Sequence, residues 1–306
     1  MLRLRRRALV AALSLSASVF GLATRAPAQG SAPPQPAGPP TVHQVRPNVY
    51  WMEIPKVVDS NDSVIVGPTG LVLVDTSISH DNEKLFLAEI AKISSKPIVA
   101  VILTHNDGDH TNGLADLPQG VQIIAQQNCK DLMEKSAARG GRGAADPNFM
   151  PTKTYDKRLT LTLGGEKVEL YHWAPAHTAG DTIVYLPKEK VVFGGDLLIT
   201  MIPMPFLHME EGGSARGWVE SMRGMAKLDS DTYIAGHGPA IDKAEVNKRL
   251  AAGEKEQADT LKLMGEGKSL DQIHEALGET KPIMIPGIPV PLDYFSTYVY
   301  KDNAKK

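Results

Sequence analysis

Seven residues whose side chains can bind a divalent metal ion occur in four short segments of this sequence. They are His105, Asp107, Asp109 and His110 in THNDGDHTNG, His177 in APAHTAGD, Asp196 in FGGDLL, and His237 in AGHGP. Each segment directly follows a predicted β-strand. Imidazole and carboxylate ligands suit zinc, iron or manganese, and the lack of thiolates argues against a structural zinc finger. The sequence therefore predicts a metal centre built at strand ends.

The spacing within the first segment indicates two ions. Residues two apart point the same way in an extended loop, so His105 and Asp107 can share one ion. Asp109 and His110 lie where the chain turns into a short helix and can face a second ion. Glycines flank all four segments, which allows close turns around the ligands.

The elements that must position these residues predict an α/β fold. The predicted strands are 49–53, 63–67, 71–75, 98–103, 121–125, 159–163, 167–173, 182–186, 191–193 and 232–235, and the predicted helices are 81–94, 128–138, 214–228, 243–264 and 269–277. Strands and helices occur in two similar runs, which predicts two sheets packed face to face with helices outside. We expect a single domain.

The N-terminus has the pattern of an export signal. Residues 1–28 combine an arginine-rich start with a short apolar run and end in Ala26-Pro27-Ala28, a small-x-small cleavage site. The apolar run, about 15 residues, is short of the roughly 20 that span a bilayer, so we expect no stable membrane anchor after cleavage. A proline-rich spacer over 29–41 follows, and the folded domain covers 42–306. We expect a periplasmic or secreted protein.

Composition excludes several classes of protein. The chain has 306 residues, is 42% hydrophobic and contains a single cysteine, which rules out an internal disulfide framework. Cleavage after Ala28 removes five arginines and no acidic residue, which leaves 28 basic and 35 acidic residues and a formal net charge of −7. That charge argues against nucleic acid as a partner.

Taken together, the motifs resemble the metallo-β-lactamase superfamily. Its signature is HxHxDH, followed by a His, a bridging Asp and a final His in GHG. The resemblance extends through GLVLVDT before the first motif and HTAGDTIVYLPKEKVVFGGD in the middle of the chain. It implies a four-layer αββα sandwich of two mixed β-sheets flanked by helices, with the metal site at one edge.

The resemblance also implies a division of the ligands between two ions. His105 and His177 would bind the first ion, and Asp196 would bridge the pair. Asp109, His110 and His237 would bind the second ion. We expect two divalent ions, with zinc first and iron or manganese as alternatives.

One position departs from the family pattern. Asp107 stands where the superfamily has the second His of HxHxDH. We expect Asp107 to bind the first ion; the alternative is that it only forms hydrogen bonds. As a ligand it gives the site three carboxylates, and the added negative charge favours harder ions such as iron or manganese. Flavodiiron proteins of the same superfamily also place a carboxylate there.

These residues indicate a hydrolase whose metal-bound hydroxide opens a lactone, ester, thioester or β-lactam bond in a small molecule. We expect Asp109 to be the catalytic residue that orients the hydroxide and accepts its proton. His208, on the loop after Asp196, is a candidate substrate contact. A β-lactamase proper is an alternative, although Ile199 occupies the position where many such enzymes carry a lysine for the substrate carboxylate.

Two alternatives come from other classes. An iron-dependent oxidoreductase, such as a sulfur dioxygenase or a flavodiiron-like site, is favoured by Asp107. A binding protein without catalysis is opposed by the otherwise intact ligand set. No sequence feature sets an oligomeric state. The proline- and aromatic-rich tail over 284–300 is expected either to cover an edge of the core or to join a subunit contact.

Overall fold

The computed structural model describes residues 38–54, 59–141, 144–284 and 291–304. The predicted signal peptide and residues 29–37 of the predicted spacer lie outside these ranges, and both stay predictions. The first strand begins at Thr41, one residue before the predicted start of the folded domain. Within the described ranges, no helix combines the length and the apolar character that crossing a membrane requires.

The first sheet has seven strands that lie side by side in chain order. They are β1 (Thr41–Arg46), β2 (Val49–Glu53), β3 (Asp62–Val66), β4 (Leu71–Val74), β5 (Ile98–Ile102), β6 (Gln122–Gln126) and β7 (Lys153–Tyr155). Strands β1 to β4 pair antiparallel, and β4 to β7 pair parallel. The sheet is therefore mixed. Strands β4 and β5 are almost wholly apolar because helices cover one face and the second sheet covers the other.

The second sheet has six strands in the order β13-β12-β11-β10-β9-β8. They are β8 (Arg158–Leu163), β9 (Glu166–Tyr171), β10 (Ile183–Leu186), β11 (Val191–Phe193), β12 (Thr232–Ile234) and β13 (Ile241–Asp242). β11 and β12 pair parallel, and the other neighbours pair antiparallel. A helix connects β11 to β12, as a parallel crossover requires.

Seven α-helices in the described part of the chain cover the outer faces or connect the strands. They are α1 (His80–Ile93), α2 (Gly108–Thr111), α3 (Gln127–Arg139), α4 (Ala215–Ala226), α5 (Lys243–Gly265), α6 (Leu270–Leu277) and α7 (Phe295–Ala304). Side-chain caps fix where several of them begin. Ser214 accepts a hydrogen bond from the amide of Gly217 at the start of α4, and Asp242 accepts one from the amide of Glu245 at the start of α5.

The buried apolar residues form three large clusters, which define four layers. One cluster lies between the two sheets and includes Val74, Ile102 and Phe193. A second joins the first sheet to α1 and α3, and a third joins the second sheet to α4, α5 and α7. The order helix, sheet, sheet, helix confirms the predicted αββα sandwich.

The predicted elements agree with the structure to within two residues at each end. Three short or edge strands, β1, β7 and β13, were not predicted. The tail was predicted to cover the core or to join a subunit contact. Its described part forms α7, whose Phe295 and Tyr298 are buried in the cluster under the second sheet, so this part covers the core.

Candidate metal centre

The structure brings all seven predicted ligands together in loops that follow four strands. Four of the seven lie between β5 and the end of α2, and the other three follow β9, β11 and β12. Both sheets therefore contribute to the same site. The motif THNDGDHTNG contributes most of it because its loop turns into α2 immediately after the first two ligands.

Three side chains form the first ligand group. The nearest ligand atoms of His105, Asp107 and His177 all lie within 4.8 Å of one another. Asp107 Oδ2 is 3.4 Å from His105 Nε2 and 3.2 Å from His177 Nε2. The geometry places Asp107 where it can share an ion with the two histidines, as its spacing from His105 predicted.

A second group consists of Asp109, His110 and His237, whose ligand atoms also lie within 4.8 Å of one another. Asp109 Oδ2 is 3.2 Å from His237 Nε2. Asp196 lies between the two groups, because its oxygens are 3.3 Å from His110 Nε2 and 3.8 Å from His177 Nε2. This is the position that a bridging carboxylate would need.

Hydrogen bonds at Nδ1 turn each of the four histidines so that Nε2 faces the centre. His105 Nδ1 pairs with Thr104 Oγ1 at 3.0 Å, and His110 Nδ1 pairs with Asp75 Oδ2 at 2.9 Å. Backbone carbonyls accept from the remaining two, which are His177, bonded to Phe206, and His237, bonded to Asp59. Such partners fix the ring orientation and the tautomer of metal-binding histidines.

Asp75 is a supporting residue to which the sequence analysis assigned no role. It follows β4 with a φ of 62°, an uncommon conformation for a residue other than glycine. Its carboxylate accepts the amide and the hydroxyl of Thr104 and pairs with His110. One buried carboxylate therefore holds the start of the metal-binding loop and one of its histidines. The only sequence signal was its place at the end of the apolar run LVLVDT.

Glycine beside Asp196 allows the loops to approach closely. A Cβ at Gly236 would lie 2.0 Å from Asp196 Oδ1, and a Cβ at Gly195 would lie 2.6 Å from the Thr104 side chain. Gly195 also has a φ of 50°. Both positions therefore require glycine, and their lack of side chains lets Asp196 reach the centre.

The charges of the cluster act on one another strongly. Burial alone would raise the pKa of Asp196, but His237 and His110 hold it well below its usual value. In the same way, burial would lower the pKa of His110, and the carboxylates Asp196, Asp109 and Asp75 raise it instead. Asp196 and Asp109 raise the pKa of His237 to about 10, against the effect of burial. The carboxylates thus attract positive charge to the centre.

Two polar atoms at the centre suit a metal ion. His105 Nε2 and Asp196 Oδ1 are buried, and neither makes a hydrogen bond of good geometry. A buried polar atom without a partner is costly, and coordination to a cation would satisfy both atoms. The donor set of imidazole nitrogens and carboxylate oxygens also fits zinc, iron or manganese. The residues present therefore fit the predicted pair of divalent ions.

The centre lies in a cleft of about 500 Å³. Asp107, Asp109, Asp196 and His237 contribute to its lining, as does His208, the predicted substrate contact. Apolar side chains form much of the remaining wall, and they include Ile199, Met201, Ile202, Phe206, Met209 and Leu292. α7 contributes Tyr298 and Lys301. A substrate held here would meet the polar centre with one part and the apolar wall with another.

A sequence profile described as the metallo-beta-lactamase superfamily matches residues 55–237, which is more than half of the chain. The match begins just after β2 and ends at the last predicted ligand, so it includes all seven. This chain therefore belongs to the metallo-beta-lactamase superfamily. The family and the fold expected from the sequence are both confirmed.

Curated relatives show low identity over much of the chain. A linear primary-alkylsulfatase of Pseudomonas sp. is 26% identical over 281 residues, which cover 76% of this chain and 52% of the relative. The alpha subunit of a 2,4-dinitroanisole O-demethylase of Nocardioides sp. is 26% identical over 210 residues, which cover 68% of this chain and 61% of the relative. The chain thus spans about half to three fifths of the length of these relatives.

Solved structures support the same fold. A metallo-beta-lactamase from Pontibacter korlensis superposes with a TM-score of 0.60 at 21% identity, and the superposition covers 70% of this chain and 99% of the other. Nearly all of that protein therefore corresponds to the sandwich described above.

Proposed function

We propose that this chain is an exported dinuclear-metal hydrolase that opens a lactone, ester, thioester or β-lactam bond in a small molecule. The observation that carries the proposal is the pair of ligand groups, joined by Asp196, in one cleft. The proposed ligands are His105, Asp107 and His177 for the first ion, Asp109, His110 and His237 for the second, and Asp196 for both. Two divalent ions bound there would lower the pKa of a shared water, so that hydroxide would exist near neutral pH.

Asp109 is the proposed catalytic carboxylate. Its side chain is 25% exposed, whereas that of Asp196 is 6% exposed, so Asp109 is better placed to meet water in the cleft. Its Oδ2 lies 3.2 Å from His237 Nε2, the proposed ligand atom beside it, so Oδ2 would bind the second ion and Oδ1 would be left to meet water. In this proposal Asp109 orients the attacking water and accepts its proton.

The cleft wall supports a substrate with an apolar portion. Phe206, Met209 and Leu292 offer contacts for an alkyl, acyl or aromatic group rather than for a highly charged one. Ile199 lines the wall as well, so this position supplies no cation for the carboxylate of a β-lactam, and an ester or lactone is better supported than a β-lactam. The name of the alkylsulfatase relative adds alkyl sulfates to the substrates that need testing.

An iron-dependent oxidoreductase is the second candidate, and Asp107 is the observation that favours it. Its carboxylate lies within the first ligand group, which raises the number of carboxylates at the centre to three. Greater negative charge favours harder ions over zinc. Metal identity therefore separates the two candidates.

Elemental analysis and a substrate panel test the proposal. The protein would be produced with its own signal, purified without chelators and assayed for metal content. The panel would contain lactones, carboxylic esters, thioesters, β-lactams and linear alkyl sulfates. We expect about two zinc ions per chain and metal-dependent hydrolysis of an ester or lactone. Iron with oxygen uptake would replace the hydrolase by the oxidoreductase, and a chain that takes up no metal on titration would leave a binding protein.

Export is tested separately. We propose periplasmic or secreted localisation on the signal pattern of residues 1–28 alone. N-terminal sequencing of the exported protein is expected to begin at Gln29. A cytoplasmic protein that keeps residues 1–28 would contradict this part of the proposal and leave the hydrolase proposal intact.

A further inference from the structure

Asp107, the residue that departs from the family motif, contacts a third imidazole besides those of its ligand group. Its Oδ2 lies 3.0 Å from His208 Nε2, closer than it lies to His105 or His177. The His208 side chain is 24% exposed, whereas those of His105 and His177 are each 1% exposed. His208 therefore reaches the same oxygen from the more open side of the centre.

The structure holds His208 firmly in this position. Its backbone amide donates to the carbonyl of His177 at 2.8 Å, and its carbonyl accepts from the amides of Glu211 and Gly213. Its ring contacts Phe206 edge to face, with ring centroids 4.7 Å apart. At the other nitrogen, Nδ1 pairs with Glu210 Oε1 at 3.0 Å. Backbone, ring and Nδ1 are all fixed, so Nε2 is directed at Asp107.

Its geometry fits a hydrogen-bond donor better than a metal ligand. The ligand atoms of His105, Asp107 and His177 lie within 4.8 Å of one another, and among the described residues His208 belongs to no such group. Because a carboxylate can bind an ion with one oxygen or with both, its orientation has to be set by a neighbour. An imidazole at position 107 would bind the ion through one ring nitrogen and donate from the other, so it would offer no acceptor to an Nε2–H of His208.

We propose that His208 is the positioning residue for Asp107. Its Nε2–H holds the carboxylate in the orientation that binds the first ion, and Glu210 holds the ring of His208 in turn. The cleft side chain previously expected to contact substrate would thus support the first metal site and compensate for the replacement of histidine by aspartate. This inference rests on the proposed function in one respect, because it requires Asp107 to bind metal.

The test measures the affinity of the first metal ion by competition with a chromophoric chelator, together with the absorption spectrum of the cobalt-substituted protein. His208→Ala and His208→Gln would be made in the native chain and in Asp107→His. Loss of such a supporting hydrogen bond costs about 10- to 100-fold in metal affinity. We expect a loss of this size for His208→Ala in the native chain, and recovery of most of it in His208→Gln, whose amide can donate to Asp107. In the Asp107→His chain we expect less than a threefold loss.

The control is His80→Ala, which removes a different histidine–aspartate pair. His80 Nδ1 lies 2.7 Å from Asp116 Oδ2, and the His80 side chain is 61% exposed. We expect no change in metal affinity for this variant. Thermal unfolding of every variant would check that it folds.

The variants distinguish failure of the positioning role of His208 from failure of Asp107 as a metal ligand. An equal loss for His208→Ala in both backgrounds, or no loss in either, would overturn the positioning role while leaving the metal site in place. Asp107→Ala identifies the other kind of failure. If that variant binds both ions as tightly as the native chain, Asp107 is not a ligand, and the proposed first site and the role of His208 are both overturned.

Discussion

Asp109 combines two tasks at the proposed centre, because it lies in the second ligand group and also faces the cleft. Asp109→Asn keeps the size of the side chain and removes the ability to accept a proton. Since general base catalysis contributes about 10²- to 10⁴-fold, we expect kcat to fall by that factor at saturating metal. Steady-state kinetics on the best substrate of the panel would measure the change.

Asp81→Asn is the matched control for this variant. Asp81 lies in the first turn of α1, and its side chain is 96% exposed. The same change of charge there should leave kcat within experimental error. Full activity of Asp109→Asn with two ions bound would remove Asp109 as the catalytic carboxylate.

Gly236 provides a second prediction for a single residue. A Cβ at this position would lie 2.0 Å from Asp196 Oδ1 and 2.8 Å from the carbonyl carbon of Gly195. Gly236→Ala must therefore displace the bridging carboxylate or the backbone beside it. We expect metal affinity to fall by about 10-fold or more, measured by chelator competition.

A glycine in open space is the control for this steric argument. Gly265, the last residue of α5, has no atom within 4 Å of a Cβ built on it. Gly265→Ala should leave metal affinity unchanged and can stabilise the helix by up to about 1 kcal/mol. Equal metal affinity in the two variants would show that Gly236 does not constrain Asp196.

The ligands could be predicted from the sequence because their types and spacing are local features, as in His105 and Asp107. The hydrogen-bond partners that orient these ligands could not be predicted in this way. Asp75 pairs with His110 across 35 positions, and the carbonyl of Asp59 accepts from His237 across 178. The carbonyl that orients His177 belongs to Phe206, and any residue type has a carbonyl to offer. Such contacts depend on the folded path of the chain and leave no pattern in the residue types.

At the scale of elements, the same reasoning explains which strands and helices escaped prediction. β7 and β13 have three and two residues, so their stability comes from pairing with β6 and β12 and not from their own composition. α7 buries five consecutive residues, from Phe295 to Val299, and therefore shows no amphipathic period. Long elements with one apolar face, such as α4, were predicted well.

Glu83 on α1 gives a prediction about how one element is held in place. Its carboxylate accepts the amide of Ser77 and is almost fully buried. Burial raises the pKa of Glu83 to about 7, and Asp62 on β3 has its pKa raised by burial as well. The folded state therefore binds a proton at Glu83 more tightly than the unfolded state, in which the pKa is near 4.5.

Protonated Glu83 therefore stabilises the folded state, and it does so most at low pH. The stabilising contribution is complete below pH 4.5 and is lost as the pH rises through about 7. Glu83→Gln stays neutral, so urea unfolding at pH 5 and pH 8 should show the native chain losing on the order of 3 kcal/mol relative to the variant. Glu134→Gln lies on the exposed face of α3 and is the control. Its free energy of unfolding should change between pH 5 and pH 8 by the same amount as that of the native chain. If the free energies of unfolding of the native chain and Glu83→Gln differ by the same amount at pH 5 and at pH 8, the prediction is wrong.

At the scale of the whole molecule, the proposed centre joins the two sheets. His105 follows β5 of the first sheet, whereas His177 and His237 follow strands of the second. A backbone hydrogen bond also joins the two sheets beside the centre. The amide of Asn61, which precedes β3, donates to the carbonyl of Gly236, which follows β12, at 2.7 Å. Ions shared between these loops would therefore bind the folded sandwich and not the unfolded chain, in which the ligands are far apart in sequence.

Removal of metal should accordingly destabilise the protein as a whole. A ligand present at about 1,000 times its Kd stabilises the folded state by about 4 kcal/mol, which corresponds to roughly 10 °C in Tm for a domain of this size. We expect calorimetry to show a fall of that order after dialysis against a chelator, and recovery when zinc is restored. In Asp109→Asn and Gly236→Ala, removal of metal should lower the Tm by less, because these variants bind metal less tightly. In the Gly265→Ala control the fall in Tm should equal that of the native chain. An unchanged Tm after removal of metal would mean that the folded state binds the ions no more tightly than the unfolded chain does, which would contradict a metal centre shared by loops of both sheets.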